Sequence, residues 1–218
     1  LLLYEIKEGG ERTGTFEILD IEQRRTLPDI LPRGYLRSFV FAPDCRGFYY
    51  VHECAEGAGQ CRRAAYRHVL GTNVSDDQQI FFAGESQNIR LHMVAGKEQL
   101  GFLVYRLLER TYTDFCLWPF ESADTPRLFI ANAEYTLGPV LLDGGRILAI
   151  TDRDAPNFRI VEIRSREGLA GQFVDLVPNR DARIQSWAVT RNEIFVSYVR
   201  GTQTEVDIFD LDGRKLGR

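Results

Sequence analysis

The chain has 218 residues, room for one large domain or two small ones, and with 44% hydrophobic and 27% charged residues it matches ordinary globular composition rather than a disordered, collagenous or coiled-coil one. Lys and Arg number 27 against 31 Asp and Glu, a net charge of −4 with no long run of either sign, which argues against nucleic acid as a partner. The longest apolar run is four residues, far short of the roughly 20 of a membrane helix or the about 7–15 of a signal-peptide core, so no membrane partner is expected.

From the N-terminus, Leu1-Leu2-Leu3-Tyr4 already reads as an apolar strand with no initiator Met, and predicts a piece of something longer. Four-residue apolar runs then recur at 39–42, 48–51, 80–83, 102–105, 115–118, 128–131 and 147–150. Turn signals separate them, among them Pro43-Asp44, Gly71-Thr72-Asn73, Asp143-Gly144-Gly145 and Ala155-Pro156-Asn157, so the pattern is one of many short strands. One stretch competes: Leu100, Leu103, Val104, Leu107 and Leu108 fit an amphipathic helix, with Gly101 against it.

Repetition decides between them. Strands ending in Ile21, Leu70, Trp118, Ile163 and Leu211 lie 49, 48, 45 and 48 residues apart. Two-strand units with a short turn precede the last four, at 38–51, 89–105, 134–150 and 183–198. Two landmarks with one period of roughly 40–50 residues are the mark of propeller blades, and the period demands a strand where the helical pattern lies. The expected fold is therefore all-β: a single partial β-propeller over 1–218, of four-stranded antiparallel blades near 1–30, 31–84, 85–131, 132–178 and 179–218. Three are complete and two partial, the first lacking its first strand and the last with its outer strand short or absent. An arc of this kind exposes apolar faces on its terminal blades, from which association with another copy, rearrangement, or residues missing from this numbering is expected.

Four stretches resemble the N-terminal propeller of the prolyl oligopeptidase family of serine peptidases. They are Phe41-Ala42-Pro43-Asp44-Cys45-Arg46-Gly47-Phe48-Tyr49-Tyr50; Tyr66-Arg67-His68-Val69-Leu70-Gly71-Thr72 with Ser75-Asp76-Asp77; Thr151-Asp152-Arg153-Asp154-Ala155-Pro156-Asn157-Phe158-Arg159-Ile160; and Val174–Pro178 leading through Trp187 to 207–213. Cys45 departs from the pattern, standing where that turn usually has Gly, and the loop from Cys54 to Cys61 matches nothing in it. The resemblance implies a seven-bladed propeller over an α/β-hydrolase domain of the same polypeptide that carries the Ser, Asp and His. The propeller admits peptides and excludes folded proteins. It implies no cofactor and, within these residues, no catalytic or metal site. The rival reading is a propeller interaction module without enzymatic role, against which stands the lack of a WD-type signature.

Residue by residue, the chemistry agrees. A nucleophile elbow needs G-x-S-x-G, and the nearest stretch, Gly84-Glu85-Ser86-Gln87-Asn88, lacks the second Gly. His52, His68 and His92 fall on different expected strands without metal-ligand spacing, and His68 reads as a half-buried, hydrogen-bonded ring. Cys54 and Cys61 flank a loop and bridge only if it folds back, Cys45 sits in a turn, and Cys116 reads as a small core residue. Four cysteines without a C-x-x-C pair favour a reducing compartment, the cytoplasm, with the periplasm as alternative. Asp152-x-Asp154 and Asp210-x-Asp212-Gly213 lack the terminal Glu of a calcium loop and read as turns.

Overall fold

A computed structural model describes residues 1–7, 9–10, 14–31, 34–53, 62–120 and 122–218. Its strands form five antiparallel sheets in chain order. The first holds β1 (Leu2–Ile6), β2 (Thr15–Asp20) and β3 (Arg25–Thr26); the second β4 (Tyr35–Phe41), β5 (Gly47–Glu53), β6 (Arg63–Val69) and β7 (Gln78–Gly84). In the third are β8 (Ile89–Ala95), β9 (Gln99–Leu107), β10 (Thr111–Pro119) and β11 (Arg127–Ala133). The fourth holds β12 (Leu137–Leu141), β13 (Ile147–Thr151), β14 (Arg159–Arg166) and β15 (Leu169–Val177), and the fifth β16 (Arg183–Val189), β17 (Glu193–Arg200), β18 (Gln203–Asp210) and β19 (Lys215–Gly217). Each sheet is a meander of sequential neighbours, so this is a partial β-propeller of four-stranded blades. The first sheet has three strands, and the last strand of the fifth is only three residues long.

The helical pattern around Leu103 is overridden. Gln99–Leu107 is strand β9, with Leu100 through Val104 all buried. A continuous apolar run buries both faces of a strand as readily as it fills a helix, and Gly101 fits β9 because any Cβ there would come within 2.6 Å of the Phe115 ring.

The chain divides into two compact units, one of Leu1–Met93, Phe102–Glu109 and Glu121–Pro126, the other of Val94–Gly101, Arg110–Phe120 and Arg127–Arg218. In the first unit, Phe16 and Ile18 of β2 join Leu31, Phe48 and Tyr50 in one core, with Phe39, Phe41 and Tyr66 against it. In the second, Leu148 and Ile160 of the fourth sheet meet Ile184, Ile194, Val196, Tyr198 and Phe209 of the fifth. Strand burial reports how each sheet is covered. Five of the seven residues Gly47–Glu53 are buried in succession from Gly47, as in a strand covered on both faces. β17 instead alternates, burying Ile194, Val196 and Tyr198 and leaving Phe195, Ser197 and Val199 half-buried. Large apolar side chains are exposed on both terminal sheets, among them Leu2 and Ile6 on the first and Val206 and Leu216 on the fifth.

Candidate functional site

The Tyr66–Thr72 stretch builds a buried polar network in the first unit. On β6, His68 stands opposite Phe48 of β5, their rings 4.7 Å apart, which points the imidazole into the core rather than leaving it half-buried as its strand alternation suggests. A fully enclosed ring must find partners for both nitrogens. Nδ1 lies 2.6 Å from Asp77 Oδ1 and Nε2 lies 3.0 Å from Asp29 Oδ1. Both carboxylates are buried and held from behind. The Tyr50 hydroxyl donates to Asp77 Oδ2 at 2.7 Å, and the Gly71 N–H donates to Asp29 Oδ1 at 2.6 Å. Gly71 has φ of +84°, a conformation that a side chain would strain, and this turns its N–H toward Asp29. Burial, reinforced by the bond to Asp77, pushes the Tyr50 phenol far above its ordinary range. Among the described residues no hydroxyl or thiol hydrogen-bonds to His68, and the ring has no solvent exposure. The network fastens the segment after the first sheet to the outer half of the second.

The Ala155–Arg159 stretch builds a second fastening, in the second unit. Asn157 donates from Nδ2 to the Arg180 carbonyl at 2.9 Å and from its backbone N–H to Asn179 Oδ1 at 3.1 Å, while its carbonyl accepts from Ile184 N–H at 3.0 Å. These bonds tie the β13–β14 turn to the entry of the fifth sheet. Arg146 makes another tie, donating to Glu162 Oε1 at 2.6 Å and to the Leu211 carbonyl at 2.9 Å. Asp207, with no exposure, receives Arg180 at 2.8 Å, Lys215 at 2.9 Å and Arg218 at 3.2 Å. Burial alone would raise its carboxyl, but these three cations outweigh that and hold it below the ordinary aspartate range. Glu162 is likewise raised by burial and lowered by Arg146 and Arg164, with the lowering dominant.

Ser86 lies in the turn between β7 and β8, its Oγ accepting from Asn88 N–H at 3.2 Å. His52, His68 and His92 stand on β5, β6 and β8, and among the described residues no group of three His, Cys, Asp or Glu could hold a metal ion. His92 is exposed beside Tyr105, with burial and then Arg37 lowering its pKa. Cys116 is buried and its thiol is pushed up to about 11, by burial first and the Asp114 charge second, which makes it a poor nucleophile. Cys45 is exposed in its turn with φ of +56°. Cys54 and Cys61, which bridge only if their loop folds back, lie outside the described residues. Asp152 is spent on the Thr136 N–H and hydroxyl, and Asp210 on the Asp212 and Arg214 N–H groups, so both acids organise turns. Asp29 is the network member that sequence reasoning missed; its only local signal is a lone acid after Pro28.

β4, β8, β12 and β16 each stand at one edge of their sheet. β4 and β16 carry irregular pairing at equivalent places, between Leu36 and Ser38 and between Ile184 and Ser186, which leaves Arg37 and Gln185 out of register. Neither shift is visible in the sequence.

The family model for the prolyl oligopeptidase N-terminal β-propeller domain matches residues 1–218. The prolyl endopeptidases of Elizabethkingia miricola and Elizabethkingia meningoseptica are 21% and 20% identical over 98% of this chain, which spans 31% of each. Among solved structures, a prolyl endopeptidase studied for inter-domain dynamics superposes with a TM-score of 0.82 at 18% identity, over 95% of this chain and 31% of its own. Prolyl oligopeptidase B of Galerina marginata, without ligand, gives 0.82 at 15%, over 99% and 33%. The chain thus spans about a third of the length of the relatives it matches.

Proposed function

This chain belongs to the prolyl oligopeptidase N-terminal β-propeller family, and on that premise we propose that it is the gate of a serine peptidase whose Ser, Asp and His reside in an α/β-hydrolase domain of the same polypeptide. The gate acts sterically. One propeller domain, of which residues 1–218 are part, surrounds the route to the nucleophile, so that short peptides pass and folded proteins do not. The compartment that fits four sparse cysteines is the cytoplasm.

The observation that carries this reading is the match of the propeller model from end to end in a chain that is 31% of its curated relatives. The fastenings fit the role. An opening keeps its width only if its blades do not slide, and Asn157 and Arg146 each bridge adjacent sheets through backbone carbonyls. The test has two parts. The isolated chain should stay unlabelled by a fluorophosphonate serine probe, and deleting 1–218 from the peptidase that contains it should raise cleavage of long unfolded polypeptides relative to a short peptide. Labelling of the chain, or an unchanged length preference after deletion, overturns the proposal.

A further inference from the structure

We propose that the cleft between the fourth and fifth sheets is a binding site for the C-terminal residue of a peptide, holding an apolar side chain on its floor and the terminal carboxylate at Arg183. The cleft measures about 400 Å³, within the roughly 300–1,000 Å³ usual for small-ligand sites. Its surface is mostly apolar, supplied by Ile150, Phe158 and Val199, and its polar groups are few: Thr136, Arg183 and Gln185.

Two independent features build it. The shift in register on β16 leaves Gln185 without a cross-strand partner and sets it among the residues that line the cleft. Such irregularities re-aim side chains at sites of function. Phe158 has φ of +66°, an uncommon conformation for a bulky residue and one whose strain is retained where surrounding structure enforces it. Here the bonds of Asn157 enforce it, and the result is a ring presented to the cleft with the Arg183 guanidinium 5.0 Å over its face.

The charge in the cleft is unspent. Among the described residues Arg183 has its ring contact but no acidic partner, whereas Arg180, Arg159 and Arg146 nearby are all paired with carboxylates. Thr136 is already committed to Asp152, and Gln185 has no hydrogen bond from its side chain among the described residues. An exposed guanidinium pre-oriented on an aromatic face beside an unpaired amide and an apolar floor is complementary to one carboxylate, one peptide group and one apolar side chain. A peptide C-terminus joins those three. The site deepens the gating proposal and rests on it only for the class of ligand.

The experiment titrates the 218-residue chain with N-acetyl-glycyl-phenylalanine as the free acid and as the C-terminal amide, read by amide chemical shifts. The acid should bind about tenfold more tightly than the amide, the scale of one charge-assisted hydrogen bond, with shifts centred on Phe158, Arg183 and Gln185. Arg183→Gln should bring the acid down to the affinity of the amide, Arg183→Lys should keep the preference, and Gln185→Leu should weaken both ligands. Equal binding of acid and amide, absence of binding at millimolar peptide, or shifts centred elsewhere overturns the assignment. None of these outcomes bears on the length preference of the peptidase, which tests the gating reading separately.

Discussion

His68 Nε2 lies 3.0 Å from Asp29 Oδ1, joining two residues 39 positions apart whose side chains are almost wholly enclosed. The ring is held between two carboxylates, since Asp77 occupies its other nitrogen at 2.6 Å. Replacing His68 with leucine would leave both acids buried and without it. Such a break costs about 3–5 kcal/mol, and urea unfolding should show that loss at an unchanged slope. Asp29→Asn, which preserves the shape and one acceptor, should cost about 1–2 kcal/mol. A His68→Leu variant whose stability stays within about 1 kcal/mol of the parent, the scale of one ordinary hydrogen bond, would show that the network fastens nothing.

Cys45 closes the β4–β5 turn at φ of +56°, its N–H donating to the Ala42 carbonyl at 2.9 Å. The left-handed conformation costs an L-residue about 1–2 kcal/mol, against about 0.5–1 kcal/mol of extra chain entropy that a Gly gives up on folding. Cys45→Gly should therefore stabilise the protein by about 0.5–1 kcal/mol, and Cys45→Val, with its branched Cβ, should destabilise it. Thermal midpoints of the two variants should move in opposite directions; movement in the same direction refutes the account.

Depressed carboxyls shape the acid limb of stability, the buried Asp207 and Glu162 among them. In the folded chain, Asp207 and Glu162 both titrate below their ordinary values. A depressed folded pKa contributes stability that is present above the unfolded value, about 4, and is lost as pH falls through the folded one. Stability should accordingly drop below about pH 4. Asp207→Asn should be less stable than the parent near neutral pH and should lose less on acidification, so that the two denaturation curves converge toward about pH 2. Parallel curves would mean that the three cations around Asp207 contribute nothing.

The strand content was legible because apolar runs of four residues cannot complete a helix face yet fill a strand, and because two landmarks shared one period. That period also settled Gln99–Leu107, where local pattern pointed to a helix. The motif residues were visible but their work was not. Alternation along β6 left His68 half-buried, since alternation knows one neighbour strand and not the sheet beyond, and Asp29 carried no signal because its partner is 39 residues away. Arg183 and Gln185 were equally silent, for a shift in strand register is set by how two strands pair, not by either alone.

By itself, then, the sequence determined the repeating antiparallel sheet and the positions of the turns, both consequences of short-range backbone preference and period. Only the tertiary structure decided which buried acids face His68, which carbonyls Asn157 ties, and which cations remain unspent, because each depends on a distance between groups far apart along the chain.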